Sequence, residues 1–173
     1  MRLFKQEKKP DTDLFMKMIR ENTEIMYKTA WAILKNDADA ADAIQETILD
    51  CYEKLHTLRN PDYFKTWMVR ILINNCYQIC GQNKRITVFA DYVQEIPVED
   101  HYECEENSGF EELLGIVDEK YRLLLTLYYA DELKIAEIAE VLNINVNTVK
   151  TRLSRAREQI RRYLNEKNRL SET

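Results

Sequence analysis

With 173 residues, a formal net charge of −5, 45% apolar and 32% charged residues, the chain can fill one ordinary domain or two small ones. Three Gly and three Pro exclude a fold rich in irregular turns, and the charged, Leu-, Ile- and Ala-rich remainder favours helices. No run approaches the roughly 18 apolar residues of a membrane span, and no apolar segment follows the basic first ten residues as a signal peptide requires. The expectation is a cytoplasmic, all-α protein.

Pro10-Asp11 precedes a first helix predicted over residues 12–35, with Phe15, Met18, Ile19, Ile25, Met26, Ala30, Ile33 and Leu34 as its apolar stripe. Asn36-Asp37 reads as a turn and cap for a second helix over 39–58. Its inner stripe is Ile44, Ile48, Cys51, Leu55 and Leu58. Its polar face opens with Asp37, Asp39, Asp42, Gln45 and Glu46. The helix dipole favours acid at an N-terminus, yet this is more acid than capping needs, and a basic partner surface stands beside simple solubility as the reason.

Arg59-Asn60-Pro61-Asp62 breaks the chain before a third helix over 63–80, which Gly81 ends as the residue just past it. Phe64, Trp67, Met68, Ile71, Leu72, Asn75 and Ile79 form its inner stripe; Tyr63, Lys65, Arg70, Asn74, Tyr77 and Gln78 form its outer face. Rings, amides and bases interleaved on one surface suit single-stranded nucleic acid. Aromatics can equally complete a bundle core, and Phe64 and Trp67, lying in the apolar stripe, fit that reading better.

Residues 86–119 contain eleven Asp/Glu and no Lys or Arg. With Pro97 and Asn107-Ser108-Gly109 and no sustained period, 86–109 reads as an acidic linker between two domains. A second helical unit begins near Phe110. Leu113, Leu114 and Val117 predict one short helix, and Tyr121, Leu124, Leu125, Tyr128 and Tyr129 another.

The final stretch pairs a short helix (Ile135, Ile138, Ala139, Leu142) with a longer one (Val146, Val149, Leu153, Ala156, Ile160, Tyr163) across Asn143-Ile144-Asn145. Asn143 tolerates the left-handed conformation that ends a helix, and Asn145 can cap the next. The outer face of the longer helix carries Lys150, Thr151, Arg152, Ser154, Arg155, Arg157, Arg161 and Arg162. Residues 145–170 hold eight Lys/Arg against Glu158 and Glu166, a local charge of +6 in an acidic chain. That asymmetry and layout point to a helix-turn-helix for DNA rather than a merely solvated face.

Catalytic chemistry finds no support. There is no glycine-rich phosphate loop, zinc-protease helix or nucleophile elbow, and neither the four cysteines (Cys51, Cys76, Cys80, Cys104) nor the two histidines have metal-site spacing. Cys76 and Cys80 read as reduced packing residues. The function is expected to be binding, with no cofactor and no metal.

The segments D-A-D-A-A-D-A-I-Q-E-T-I-L (37–49), Y-F-K-T-W-M-V-R-I-L-I-N-N (63–75) and the helix-turn-helix, in that order, resemble the extracytoplasmic-function sigma factors, the small two-domain members of the bacterial sigma-70 family. The resemblance implies an N-terminal domain over 12–85, the linker over 86–109 and a C-terminal domain over 110–166. It implies that the acidic helix docks on the clamp helices of core RNA polymerase through Asp39, Asp42, Gln45 and Glu46, with Ile44 and Ile48 packing. It gives Arg59, Asn60, Asp62, Tyr63, Trp67, Arg70 and Asn74 to the melted −10 element. Asn147, Lys150, Thr151, Ser154 and Arg155 are placed towards the bases of the −35 duplex, and Arg152, Arg157 and Arg161 on its phosphates. The apolar surface from Leu124 to Tyr129 would meet the polymerase flap. An anti-sigma factor, membrane-anchored in many relatives, is the further partner it implies. Asn143 stands where Gly is common, and Gln82 to Arg85 is less basic than in many relatives. A free-standing helix-turn-helix regulator and a protein-only helical adaptor are the alternatives.

Overall fold

The structure, a computed structural model, describes residues 12–81 and 108–171. These form eight α-helices with no strand among the described residues: α1 (Thr12–Glu21), α2 (Thr23–Leu34), α3 (Asp37–Lys54), α4 (Phe64–Ile79), α5 (Ser108–Ile116), α6 (Glu119–Leu125), α7 (Ile135–Leu142) and α8 (Val146–Ser171). The expected acidic linker lies outside the described residues up to 107; Ser108 and Gly109, assigned to its end, instead open α5.

The first predicted helix is two. Asn22 leaves the helical region (φ −110°, ψ 8°). Its side-chain amide donates to the Met18 carbonyl at 2.8 Å, and Thr23 Oγ1 donates to the Ile19 carbonyl at 3.1 Å. Short polar side chains thus take over the backbone acceptors that a continuous helix would use. Lys35, left-handed at φ 51°, closes α2, and Asn36 caps α3 by accepting from the Asp39 N–H at 3.0 Å.

In α3 the buried stripe is Ala40, Ala43, Thr47 and Cys51. Ile44 and Ile48 only flank the core, and Leu55 lies past the end of the helix in a short 3-10 turn (Leu55–Thr57), with Leu58 beyond it. The small stripe lets α3 seat closely on both α2 and α4. Met26, Met68, Leu72 and Ile73 fill the centre, each fully buried and each contributing about 1.5–3 kcal/mol by burial. One polar cluster crosses this core. Asn75 donates to Thr47 Oγ1 and to Asp50, both at 3.1 Å, while Thr47 donates to the Ala43 carbonyl. Every partner is satisfied, so the cluster fixes the register of α4 on α3 at little net cost.

In the C-terminal domain the helix-turn-helix forms as its asparagines predict. Asn143 is left-handed (φ 51°, ψ 47°). The Ile144 N–H returns to the Ala139 carbonyl at 3.0 Å and the Asn143 N–H to Glu140 at 3.2 Å, the paired bonds of a Schellman ending. Asn145 Oδ1 accepts from the Asn147 N–H at 2.8 Å and starts α8. That helix runs on to Ser171.

One feature has no sequence signature. α6 continues into a π-helical turn (Thr126–Ala130), with the Asp131 N–H reaching back five residues to the Thr126 carbonyl at 3.0 Å. Glu132 follows with a positive φ of 53°. This turn faces the N-terminal domain: α2 packs against α6 and the π turn, and α4 packs against α7.

Candidate nucleic-acid and protein interfaces

Three polar surfaces carry the predicted residues. On α3, Asp42, Gln45 and Glu46 are exposed and Asp39 half-buried, while Ile44 and Ile48 pack against the core. Positions 42, 45, 46, 49, 52 and 53 share one helical face. At its centre Leu49 is 60% exposed and Tyr52 41% exposed, ringed by Asp42, Glu46 and Glu53. Sequence reasoning missed Leu49 and Tyr52. The only signal was that both fall outside the core stripe, where a large apolar residue is out of place.

The second surface is the loop before α4 and the outer side of that helix. Arg59, Asn60, Asp62, Tyr63, Arg70 and Asn74 are all exposed, Tyr63 at 60%. Asn60 caps the turn Pro61–Tyr63 by accepting from the Asp62 N–H at 3.0 Å, so it shapes the loop as well as bordering it. Trp67 is half-buried, its ring 5.9 Å from that of Phe64; Phe64 in turn meets Phe15 edge-on. Two members of the expected outer face are not surface groups. Tyr77 packs against the core, and Lys65 donates to the Asp131 carbonyl of the other domain.

The third surface is α8. Asn147 and Lys150 are exposed, and Ser154 and Arg155 half-buried beside them. Thr151 lies in the same strip but is only 7% exposed, its hydroxyl donated back to the Asn147 carbonyl at 2.9 Å. Arg152 is half-buried, and burial lowers its pKa against the support of the nearby Tyr121 phenol. Arg157 is engaged within the domain. Its Nε donates to the Tyr129 hydroxyl at 2.7 Å, and its guanidinium lies 5.5 Å from the Tyr128 ring and 5.7 Å from that of Tyr129. Such stacking adds to the hydrogen bond. Arg161 and Arg162 both bind Glu158.

Leu124, Leu125 and Leu127, expected in an outward apolar surface, are buried core. The apolar surface of this domain is instead a cleft of about 480 Å³ between α5 and α8, lined by Phe110, Leu113, Tyr129, Ile160 and Leu164. Burial pushes the Cys51 and Cys76 thiols up to about 12, so both are inert; Cys80, expected to pack, is exposed. Among the described residues no helix is long and apolar enough to cross a membrane.

A family model described as "Sigma-70 region 2" matches residues 18–86, and one described as "Sigma-70, region 4" matches residues 109–160. The RNA polymerase sigma factor SigV of Bacillus subtilis is 32% identical over 159 residues, covering 90% of this chain and 94% of that protein. SigW of the same organism, an ECF RNA polymerase sigma factor, is 29% identical, covering 92% and 94%. Among solved structures, the sigma factor RpoE of Bartonella quintana in complex with the anti-sigma factor NepR superposes with a TM-score of 0.67 at 18% identity, over 88% of this chain and 98% of that one. CnrH in complex with the cytosolic domain of CnrY gives 0.65 at 20% identity, over 91% of each. The chain belongs to the extracytoplasmic-function sigma factors of the sigma-70 family. It is an alternative sigma factor, a transcription initiation factor that directs RNA polymerase to promoters.

Proposed function

We propose that the three surfaces divide promoter recognition among them. The acidic face of α3, with Asp39, Asp42, Gln45 and Glu46 around Leu49 and Tyr52, docks on core RNA polymerase. An exposed apolar centre inside an acid ring suits a basic partner, because burying the centre supplies affinity while the ring steers encounter. The loop at Arg59, Asn60, Asp62 and Tyr63, with Arg70, Asn74 and the edge of Trp67, takes the −10 element as single strand. Tyr63 offers a free ring for stacking and Arg70 a phosphate partner.

Residues 110–166 form the −35 domain. Asn147, Lys150, Ser154 and Arg155 reach the major groove, while Thr151, Arg152 and Arg157 hold the reading helix in place. The cleft between α5 and α8 receives the flap, residues 86–107 connect the domains, and the chain acts in the cytoplasm without catalytic chemistry of its own. An anti-sigma factor is its regulator; one structural neighbour above, RpoE with NepR, is a sigma–anti-sigma complex. The observation that carries this reading is the co-exposure of Tyr63, Arg70 and Asn74 on one domain and of Asn147 and Lys150 on the other.

Run-off transcription with purified core polymerase tests it. Wild type gives promoter-specific transcripts. Leu49→Asp lowers core affinity by about tenfold or more, as loss of a central anchor does, with an unchanged melting temperature. Transcription that is absent with wild type, or core affinity untouched by Leu49→Asp, rejects the assignment.

A further inference from the structure

The two domains meet through a buried carboxyl. Asp131 is 1% exposed and Thr29 fully buried. The Thr29 hydroxyl, on α2, donates to Asp131 Oδ2 at 2.7 Å across 102 residues of sequence. Lys65, on α4, donates to the Asp131 main-chain carbonyl. The second carboxyl oxygen, Oδ1, is buried with no hydrogen-bond partner. The π turn sets this geometry, since it carries Asp131 out of helical register towards α2.

We propose that the Thr29–Asp131 contact, braced by Lys65, is a clasp that holds the chain closed and must open before both promoter elements are engaged. This rests on the promoter reading above for its consequence, not for the closure. In the closed form α7 of the helix-turn-helix touches α4 of the −10 surface. The −10 and −35 elements lie tens of ångströms apart along a duplex that rises about 3.4 Å per base pair. Helices in contact cannot serve both.

The clasp is poised rather than locked. A buried carboxylate with one orphaned oxygen is costly as an anion. Burial therefore raises the Asp131 pKa to about 6, against the opposing pull of the Thr29 hydroxyl, Lys65 and Lys28, with Glu24 adding to the rise. Lys28 is itself paired with Glu24 at 2.6 Å. Acid thus favours the closed form. The neutral form of Asp131 can still accept from Thr29, so a neutral isostere should close the chain and loss of the donor should open it.

The test is small-angle scattering of the full-length protein near pH 5 and pH 8, with helix content by circular dichroism, followed by affinity for core polymerase. Wild type should have a larger radius of gyration at the higher pH. Asp131→Asn should be compact at both and bind core several-fold more weakly. Thr29→Val should be expanded at both and bind several-fold more tightly; Lys65→Met, which removes only the brace, should shift the same way and serves if Thr29→Val does not fold. Radii that are the same for wild type, Asp131→Asn and Lys65→Met at both pH values overturn the clasp, whatever transcription shows. Failure of wild type to direct transcription would strike the promoter reading and leave the scattering result standing.

Discussion

Single residues divide between those whose role their side chain announces and those whose role depends on what surrounds them. Asn36, Asn143 and Asn145 act as their chemistry predicts, because capping and left-handed tolerance are local properties. Thr151, Arg152 and Arg157 share the polar face of α8 with Lys150 and Arg155, and the sequence reading gives all five to DNA. Only the fold shows Arg157 bound to Tyr129. Arg157→Lys keeps the charge but loses the planar stacking. It should lower the melting temperature while sparing duplex affinity, whereas Lys150→Ala should weaken duplex binding with no thermal cost. Melting and salt-titrated binding on the same pair of variants separate the two roles; equal loss of DNA affinity would return Arg157 to the phosphate-contacting set. Glu132 is a second case. It sits at φ 53°, where a Cβ costs roughly 1–2 kcal/mol and glycine costs little beyond its entropy. Glu132→Gly should therefore stabilise the protein by about 0.5–1 kcal/mol in urea titration.

For whole helices, periodicity located the elements well and their ends poorly. The helix-turn-helix pair is legible because large apolar residues mark it; the α4 stripe is legible only in part, since Phe64, Met68, Leu72 and Asn75 are buried as expected, but Val69, Ile73 and Cys76 are buried too and Ile79, expected inside, is 40% exposed. In α3 the expected Cys51 is buried and Ile44 and Ile48 flank the core, but the rest of the contact line, Ala40, Ala43 and Thr47, is absent from the sequence reading. Small residues that permit close packing carry little hydrophobic signal. The break at Asn22 was equally hidden, because it depends on two side chains capturing carbonyls and not on Gly or Pro. α7 starts with half a capping device. Glu137 accepts from the Lys134 N–H at 2.8 Å, but a lysine side chain has no acceptor to return. Lys134→Ser would complete the box and should add about 0.5–1 kcal/mol; thermal melting would show it, and an unchanged melting temperature would mean that the start of α7 is not limiting.

For the molecule as a whole, two domains were legible from the charge reversal between residues 86–119 and 145–170. Their contact was not, because Asp131 sits in an ordinary-looking acidic turn and its partner is a threonine in the middle of α2. The contact leaves a mark on stability. Asp131 has its pKa raised from 3.8 to about 6 in the folded protein. Its favourable contribution is thus fully present below about pH 4 and is lost as pH rises through 6. Other carboxylates weaken the protein in acid, so the comparison that isolates Asp131 is with Asp131→Asn. The stability advantage of the variant should grow between pH 5 and pH 7.5 in urea titrations; a constant difference would mean that the carboxyl does not titrate in that window.

The π turn gives this contact an unusual genetic footing. Successive residues of a regular helix are about 100° apart. Deleting one residue between Thr126 and Ala130 would restore the regular repeat and swing residue 131 around the axis by about that angle, away from Thr29. The Thr29–Asp131 contact between the two halves of the chain thus depends on a single codon of helix phase, and one insertion or deletion in this turn would gain or lose it without altering a base-reading side chain of α8.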